Sequence, residues 1–176
     1  MRKSVLTVLL VLCSPLVLKA QDTPKAEVFG GYQYLYFEEE GMNGVTAAVE
    51  SNVHPNIGIV GEFGLATKSF PGDERFTPVT FMGGPRFSYR GDKFRVFGHV
   101  LAGGFRYAVT QGDASVSEVY FATTLGGGLD VSLSDRISIR PAQVDLINLR
   151  VTHEDESNWY GEMRYSAGIV FKFGKR

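Results

Sequence analysis

Polar and apolar side chains alternate with a period of two along most of the chain after residue 20. In one clear stretch, Phe121, Leu125 and Leu129 share one parity, while Thr124 and Asp130 share the other. Turn-forming residues interrupt the alternation at regular intervals, and no helical period of 3.6 residues appears. Because successive strand side chains point to opposite faces, the pattern predicts β-strands throughout. The predicted strands are 25–37, 44–52, 57–66, 76–90, 94–106, 118–132, 136–146 and 159–173.

The connections between these predicted strands alternate strictly between long and short. The tight turns are 53–56, 90–93 and 133–135. The longer polar gaps are 38–43, 67–75, 107–117 and 147–158. This asymmetry is typical of a transmembrane β-barrel with short periplasmic turns and longer external loops. The sequence therefore predicts an all-β fold, an eight-stranded antiparallel up-and-down transmembrane β-barrel with four extracellular loops.

Composition excludes several other classes of protein. The chain has 176 residues, 18 basic against 19 acidic, and 44% apolar side chains, which is too apolar for a disordered chain. Charge this close to neutral gives no basic surface for nucleic acid. The 21 glycines and 12% aromatic residues, with one cysteine, fit a barrel better than a helical bundle or a disulfide scaffold.

The first twenty residues have the layout of a secretory signal peptide. Arg2 and Lys3 precede an apolar run over 5–18, and Ala20 ends a small-residue cleavage region. The run is shorter than the ~20 residues of a membrane-spanning helix. Lipidation at Cys13 is disfavoured, because the preceding residue is a leucine rather than a small residue. The predicted domains are therefore a signal peptide over 1–20 and an outer-membrane barrel over 21–176.

The polar strand faces decide which side of the predicted barrel meets lipid. Alternation alone does not show which face is outside. The polar faces hold four acidic and five basic residues, whose charges nearly cancel. Balanced charge suits a narrow lumen, where an unpaired charge is poorly solvated. We therefore predict a polar interior and a lipid-facing exterior, with a bulge near Pro141 where the alternation shifts. The predicted lumen network is Glu50, Glu62, Arg86, Arg95, His99, Asp130, Arg140, Asp145, Arg164 and Lys172.

Aromatic residues cluster near both predicted strand ends. Bands of aromatic side chains mark the two membrane interfaces of transmembrane barrels. The predicted outer band is Tyr32, Tyr34, Tyr36, Trp159 and Tyr160, and the predicted inner band is Phe171 and Phe173.

The last predicted strand carries the most specific local motif. Residues 166–173 read S-A-G-I-V-F-K-F, which resembles the C-terminal β-signal of outer-membrane barrels. The resemblance implies that the barrel-assembly machinery recognises Ser166, Gly168, Phe171 and Phe173. The chain departs from the pattern in its three-residue extension at 174–176.

The mature chain as a whole resembles the small OmpA-like, eight-stranded barrels of the porin-like outer-membrane family. The segments that carry this likeness lie at 28–34, 83–90, 96–100, 125–130 and 139–145. The resemblance implies an outer-membrane protein of a Gram-negative cell envelope with a structural or surface-interaction role. Its implied partners are outer-membrane lipid and, during biogenesis, the barrel-assembly machinery. The resemblance implies no cofactor.

Residues that could carry other chemistry have simpler interpretations. We expect His99 to be a hydrogen-bonded lumen residue rather than a catalytic base. The acidic cluster 153–156 lacks the regular ligand spacing of a calcium loop, so we expect no metal site there. A narrow pore or small-ligand carrier remains an alternative. An enzyme acting on lipid A is a weaker one, because no serine has a convincing strand spacing beside His153.

Overall fold

The computed structural model describes residues 23–37, 40–70, 74–111, 114–153 and 156–175. The predicted signal peptide and its cleavage position lie outside these ranges. No helix in the described ranges is long and apolar enough to cross a membrane. The strands found in them are β1 (Ala26–Phe37), β2 (Glu40–His54), β3 (Ile57–Phe70), β4 (Glu74–Arg90), β5 (Phe94–Gln111), β6 (Ala114–Ser132), β7 (Ile137–His153) and β8 (Glu156–Phe173).

These strands form one closed antiparallel barrel in sequence order. Each pairs with its neighbours along the chain, and β1 also pairs with β8 from Ala26↔Phe173 to Tyr36↔Met163. That last ladder closes the sheet and removes its free edges. The predicted all-β, eight-stranded antiparallel barrel is confirmed.

At the barrel end that carries both chain ends, called here the terminus end, the predicted strand limits are accurate. β3 begins at Ile57, β4 ends at Arg90 and β5 begins at Phe94, as predicted. The turns between them are short and rich in glycine, proline, asparagine and aspartate, which mark chain reversals by their backbone preferences.

At the opposite end, called the far end, the prediction of long loops is wrong. β5 continues to Gln111 and β7 to His153, five and seven residues beyond the predicted ends. Only two or three residues separate the end of one strand from the start of the next at this end. Most of each polar gap is therefore paired strand, as in the ladder step Thr110↔Ser115. In β7 the alternation continues there but reverses, because Ile147 and Leu149 are buried inside the barrel whereas Arg150 is exposed outside.

The predicted bulge at Pro141 is confirmed. The β7–β8 register shifts between Arg140 and Gln143, and the β6–β7 register shifts between Leu129 and Val131. Proline has no backbone N–H to donate, so a bulge accommodates it without losing a ladder bond. The shift turns both Arg140 and Gln143 into the barrel, where both are buried.

The two faces of the sheet differ as predicted. Apolar side chains point outward and remain exposed along every strand, for example Val49, Phe63, Phe81, Leu125 and Ile169. The inward positions hold charged and amide side chains toward the terminus end. Toward the far end, however, they hold a second, apolar layer that the sequence analysis did not predict. This layer includes the fully buried Leu35, Leu101, Phe105 and Ile147.

Candidate functional site: the barrel interior and its far mouth

The ten predicted lumen residues all lie on inward positions. Nine of them are at most 5% exposed, and the tenth, Lys172, is half-buried. Lys172 donates to the Ser132 hydroxyl at 3.1 Å, near the terminus end. All ten side chains therefore face the interior, where nine of them are buried.

The centre of the network joins strands from opposite sides of the barrel. Arg164 of β8 donates to one carboxylate oxygen of Asp145 from Nε at 3.0 Å and from Nη2 at 2.7 Å. Arg164 also forms an ion pair with Glu62 of β3. Gln143 links these groups, because its amide nitrogen donates to Asp145 at 2.8 Å and to Glu62 at 3.1 Å. Its amide oxygen accepts from Arg140 at 2.7 Å.

Asp130 organises the part nearer the terminus end. Both of its oxygens accept from Arg140, at 2.7 and 3.2 Å, and one also accepts from Arg95, at 2.7 and 3.0 Å. Arg95 in turn donates to Glu27 at 2.9 Å and to Glu50 at 3.1 Å. Such charge-assisted bonds satisfy groups that would be costly to bury alone.

His99 is bonded at both ring nitrogens. Arg86 approaches Nδ1 at 3.1 Å, and Nε2 lies 2.8 Å from Asp145 Oδ1. A guanidinium only donates, so Nδ1 must accept and the ring proton must reside on Nε2. The geometry therefore selects a neutral ring that donates to Asp145.

Buried aromatic rings separate the guanidinium groups. The Phe97 ring centre lies 4.3 Å from the Arg86 guanidinium carbon and 4.4 Å from that of Arg140. Arg140 also lies over Phe29 at 4.1 Å. Cations over aromatic faces are attracted by the ring quadrupole, and desolvation strengthens that attraction. Phe97 therefore lets two like charges lie close together in the interior.

Several participants were missed by the sequence analysis. Glu27 accepts from Arg90 at 2.7 Å as well as from Arg95, and Asn52 donates to it at 3.0 Å. Glu27 has the same parity as the inward Phe29, opposite to Val28, so extending the face assignment through β1 could have found it. Gln143 was missed because the bulge beside it hides its parity.

Comparisons with known proteins address the fold. No protein-family profile matches the chain, and no curated protein matches it by sequence. Neisserial surface protein A is 9% identical over 84% of this chain and 96% of that chain, with a TM-score of 0.61. The attachment invasion locus protein Ail of Yersinia pestis is 16% identical over 86% and 99%, with a TM-score of 0.56. The N-terminal β-barrel domain of Pseudomonas aeruginosa OprF is 13% identical over 87% and 100%, with a TM-score of 0.54.

This chain has the fold of the small eight-stranded outer-membrane barrels. The predicted resemblance is thereby confirmed for the architecture. At these identities the likeness concerns the fold alone, so what the protein does has to be argued from its own residues.

The four residues of the predicted assembly motif lie on β8, the strand that closes the barrel. Ser166 and Gly168 lie on inward positions of β8, and Gly168 pairs with Gly31 across the closing seam. Phe171 and Phe173 are exposed on the outer face near the terminus end. Recognition of these four residues by the assembly machinery stays a prediction.

The predicted outer aromatic band needs one correction. Tyr32, Tyr34, Tyr36 and Trp159 are exposed on the outer face toward the far end, as expected. Tyr160 instead has the inward parity of β8 and lines a cup at the far mouth of the barrel. Tyr160 directly follows Trp159 in the chain, and adjacent side chains of a strand point to opposite faces. The two residues therefore cannot both belong to the outer band.

The cup has a volume of about 510 Å³ and opens at the far end. Its lining comprises Phe37, Glu40, Met42, Phe70, Phe76, Phe105, Tyr107, Val109, Tyr120, Leu149, Tyr160 and Glu162. The alternation does not predict it, because its lining residues fall in the polar gaps or close to the ends of the predicted strands.

The described residues include no group of three or more His, Cys, Asp or Glu side chains that could hold a metal ion. The side chains of the predicted acidic cluster at 153–156 lie outside the described part of the structure.

Proposed function

We propose that this protein is an integral outer-membrane barrel whose interior side chains close the lumen, and that it serves a structural or surface-interaction role. The observation that carries the proposal is the division of the sheet into an apolar, exposed outside and a charge-paired inside.

Membrane insertion is supported by the outer face. Large apolar side chains such as Phe81, Phe87 and Leu125 are about half exposed on a surface that surrounds the barrel. Soluble monomers rarely expose contiguous apolar patches above a few hundred Å². A soluble eight-stranded barrel would place its apolar face inward instead, whereas here the most deeply buried residues include three arginines.

Closure of the lumen is supported by the bonds that cross it. Arg164 on β8 reaches Glu62 on β3, and Gln143 on β7 reaches the same carboxylate. Eight strands enclose an interior that side chains can fill. An ion that entered the lumen would have to break these ion pairs, and it would lose its hydration water without a replacement.

A non-enzymatic role is supported by how the interior histidine is used. Both ring nitrogens of His99 are occupied by Arg86 and Asp145. No ring nitrogen is left to act as a base toward a substrate. The extended hairpins at the far end are then the part of the molecule offered to the outside.

Gel migration and extraction test the membrane assignment. We expect an unheated sample in detergent to migrate differently from a boiled one, because a closed hydrogen-bonded barrel resists detergent unfolding. We also expect membranes to retain the protein through salt washing. Identical migration of both samples, together with release by salt alone, would refute the assignment.

Planar-bilayer conductance tests closure. We expect the native barrel to show at most small, transient currents, and the double variant Arg86→Ala with Arg164→Ala to conduct several-fold more, because two large side chains leave the interior. Arg136→Ala, in an exposed turn, is the matched control and should behave as the native protein. Unchanged current in the double variant would argue against closure by these residues.

A further inference from the structure

The cup at the far mouth is built largely from aromatic rings in mutual contact. Phe105 stacks on Phe37 with ring centres 5.5 Å apart, and Phe37 packs on Phe76 at the same separation. Phe76 contacts Tyr107 at 5.9 Å, and Tyr107 stacks on Tyr120 at 5.6 Å. Five rings from four strands thus form a continuous surface around one side of the cavity.

The floor of the cup is apolar and separates it from the charged network. Leu35, Leu101 and Ile147 are essentially inaccessible and lie beneath the rings with Phe105. A guest would therefore contact hydrocarbon and aromatic faces, without access to the guanidinium groups below. The volume of about 510 Å³ falls within the ~300–1,000 Å³ typical of small-molecule sites.

The charges around this cup are mainly negative. Glu40 and Glu162 line it, and Glu118 accepts hydrogen bonds from the hydroxyl groups of Tyr120 and Tyr107. One cation, Lys68, pairs with Glu40 at the rim. Of the acidic side chains described in or beside the cup, two line it and the third, Glu118, bonds to its tyrosine hydroxyl groups.

The tyrosine contacts add to this polarity. A phenol that donates to a carboxylate gains electron density on its ring, which strengthens attraction to a cation over its face. Tyr107 and Tyr120 both donate to Glu118. The rim also contains one cation–ring contact of its own, because the Lys68 ammonium lies 5.3 Å from the centre of the Phe70 ring.

We propose that this cup binds an organic cation that carries an apolar or aromatic body. The rings and the floor would take the body, and the carboxylates would favour its positive charge. A neutral apolar molecule would gain only from the rings and the floor. The carboxylates would repel an anion. The inference rests on the proposed membrane barrel, which unheated gel migration tests separately from binding.

Methionine methyl groups give a direct way to measure this binding. Met42 lines the cup, Met82 is buried in the barrel interior, and Met163 is half exposed on the outer face. In ¹³C-methyl-labelled protein in nanodiscs, Met42 reports on the cup, whereas Met163 reports on molecules that merely dissolve in lipid. Substituting Met42, Met82 or Met163 by leucine assigns the signal of that residue.

Three probes of similar shape separate the contributions of charge and of the apolar body. We expect phenyltrimethylammonium to shift the Met42 methyl signal saturably and to leave the Met163 signal in place. We expect its uncharged isostere tert-butylbenzene to bind ~10-fold more weakly, and benzenesulfonate to produce no saturable shift. Equal affinity of the neutral probe, or a shift at Met163 alone, would overturn the proposal.

Variants then test the residues. Phe76→Leu should weaken binding of the cation ~5-fold, and Glu118→Gln with Glu162→Gln should weaken it ~10-fold. The matched controls are Phe87→Leu on the outer face and Asp135→Asn in an exposed turn, which should leave affinity unchanged. Unheated gel migration verifies that each variant is folded. Native affinity in both folded cup variants would contradict the assignment.

Discussion

Replacing Asp145 by alanine should destabilise the folded barrel by about 3–5 kcal/mol, the cost of leaving buried partners of an ion pair uncompensated. Asp145 is fully buried and accepts from Arg164, His99 and Gln143. Arg164 would retain Glu62, but the Nε2 proton of His99 would lose its acceptor. Because folded proteins are stable by only ~5–15 kcal/mol, the effect should be large in urea unfolding followed by gel migration.

The pattern across a short series of variants identifies the cause. Asp145→Asn keeps an acceptor oxygen at the same place and should lose less stability than Asp145→Ala. Asp135→Ala removes a carboxylate from an exposed turn and should change stability little. If Asp145→Ala unfolded at the same urea concentration as the native protein, the hydrogen bonds of Asp145 would contribute nothing measurable to stability.

Replacing Gly168 by alanine should disrupt the seam that closes the barrel. A Cβ at Gly168 would lie 2.3 Å from the carbonyl oxygen of Gly30 and 2.5 Å from Cα of Gly31. Both are backbone atoms of β1, so relief requires the two strands to move apart. We expect a loss of about 3 kcal/mol, the upper part of the usual range for overpacking, measured by refolding of purified protein into detergent.

Gly61→Ala is the matched control for this substitution. Gly61 lies on the outer face of β3, and an added Cβ would meet no described atom within 4 Å. Refolding without the assembly machinery isolates packing from recognition of the predicted motif. Native stability of Gly168→Ala in detergent would contradict the packing argument, and a defect confined to cells would then point to recognition.

The strand faces could be predicted from the sequence because a period of two fixes them wherever one face is apolar. β8 illustrates this, since Tyr165, Ile169 and Phe171 are exposed while Arg164 and Ser166 are buried. The same rule fails where both faces are similar. Leu35 lies between Tyr34 and Tyr36, so the alternation there gives no polar contrast and does not predict the apolar inner layer.

The partners of the interior charges could not be predicted, although their positions could. Arg164 and Glu62 are 102 residues apart, and Gln143 and Glu62 are 81 apart. Their contact depends on strand tilt and on the bulge at Pro141, which together set the height of each residue in the barrel. A balance of charge indicates that pairing occurs without indicating which groups pair.

The strand extensions at the far end bear on the entropy of recognition. β4 to β8 span 17 to 19 residues, whereas a tilted strand crosses a bilayer in about 9–11. If the surplus projects beyond the lipid, a partner would meet backbone already fixed by ladder hydrogen bonds. Binding to such a surface orders few additional backbone dihedral angles. The entropy cost of binding should therefore be smaller than for a barrel whose long, irregular loops must become ordered.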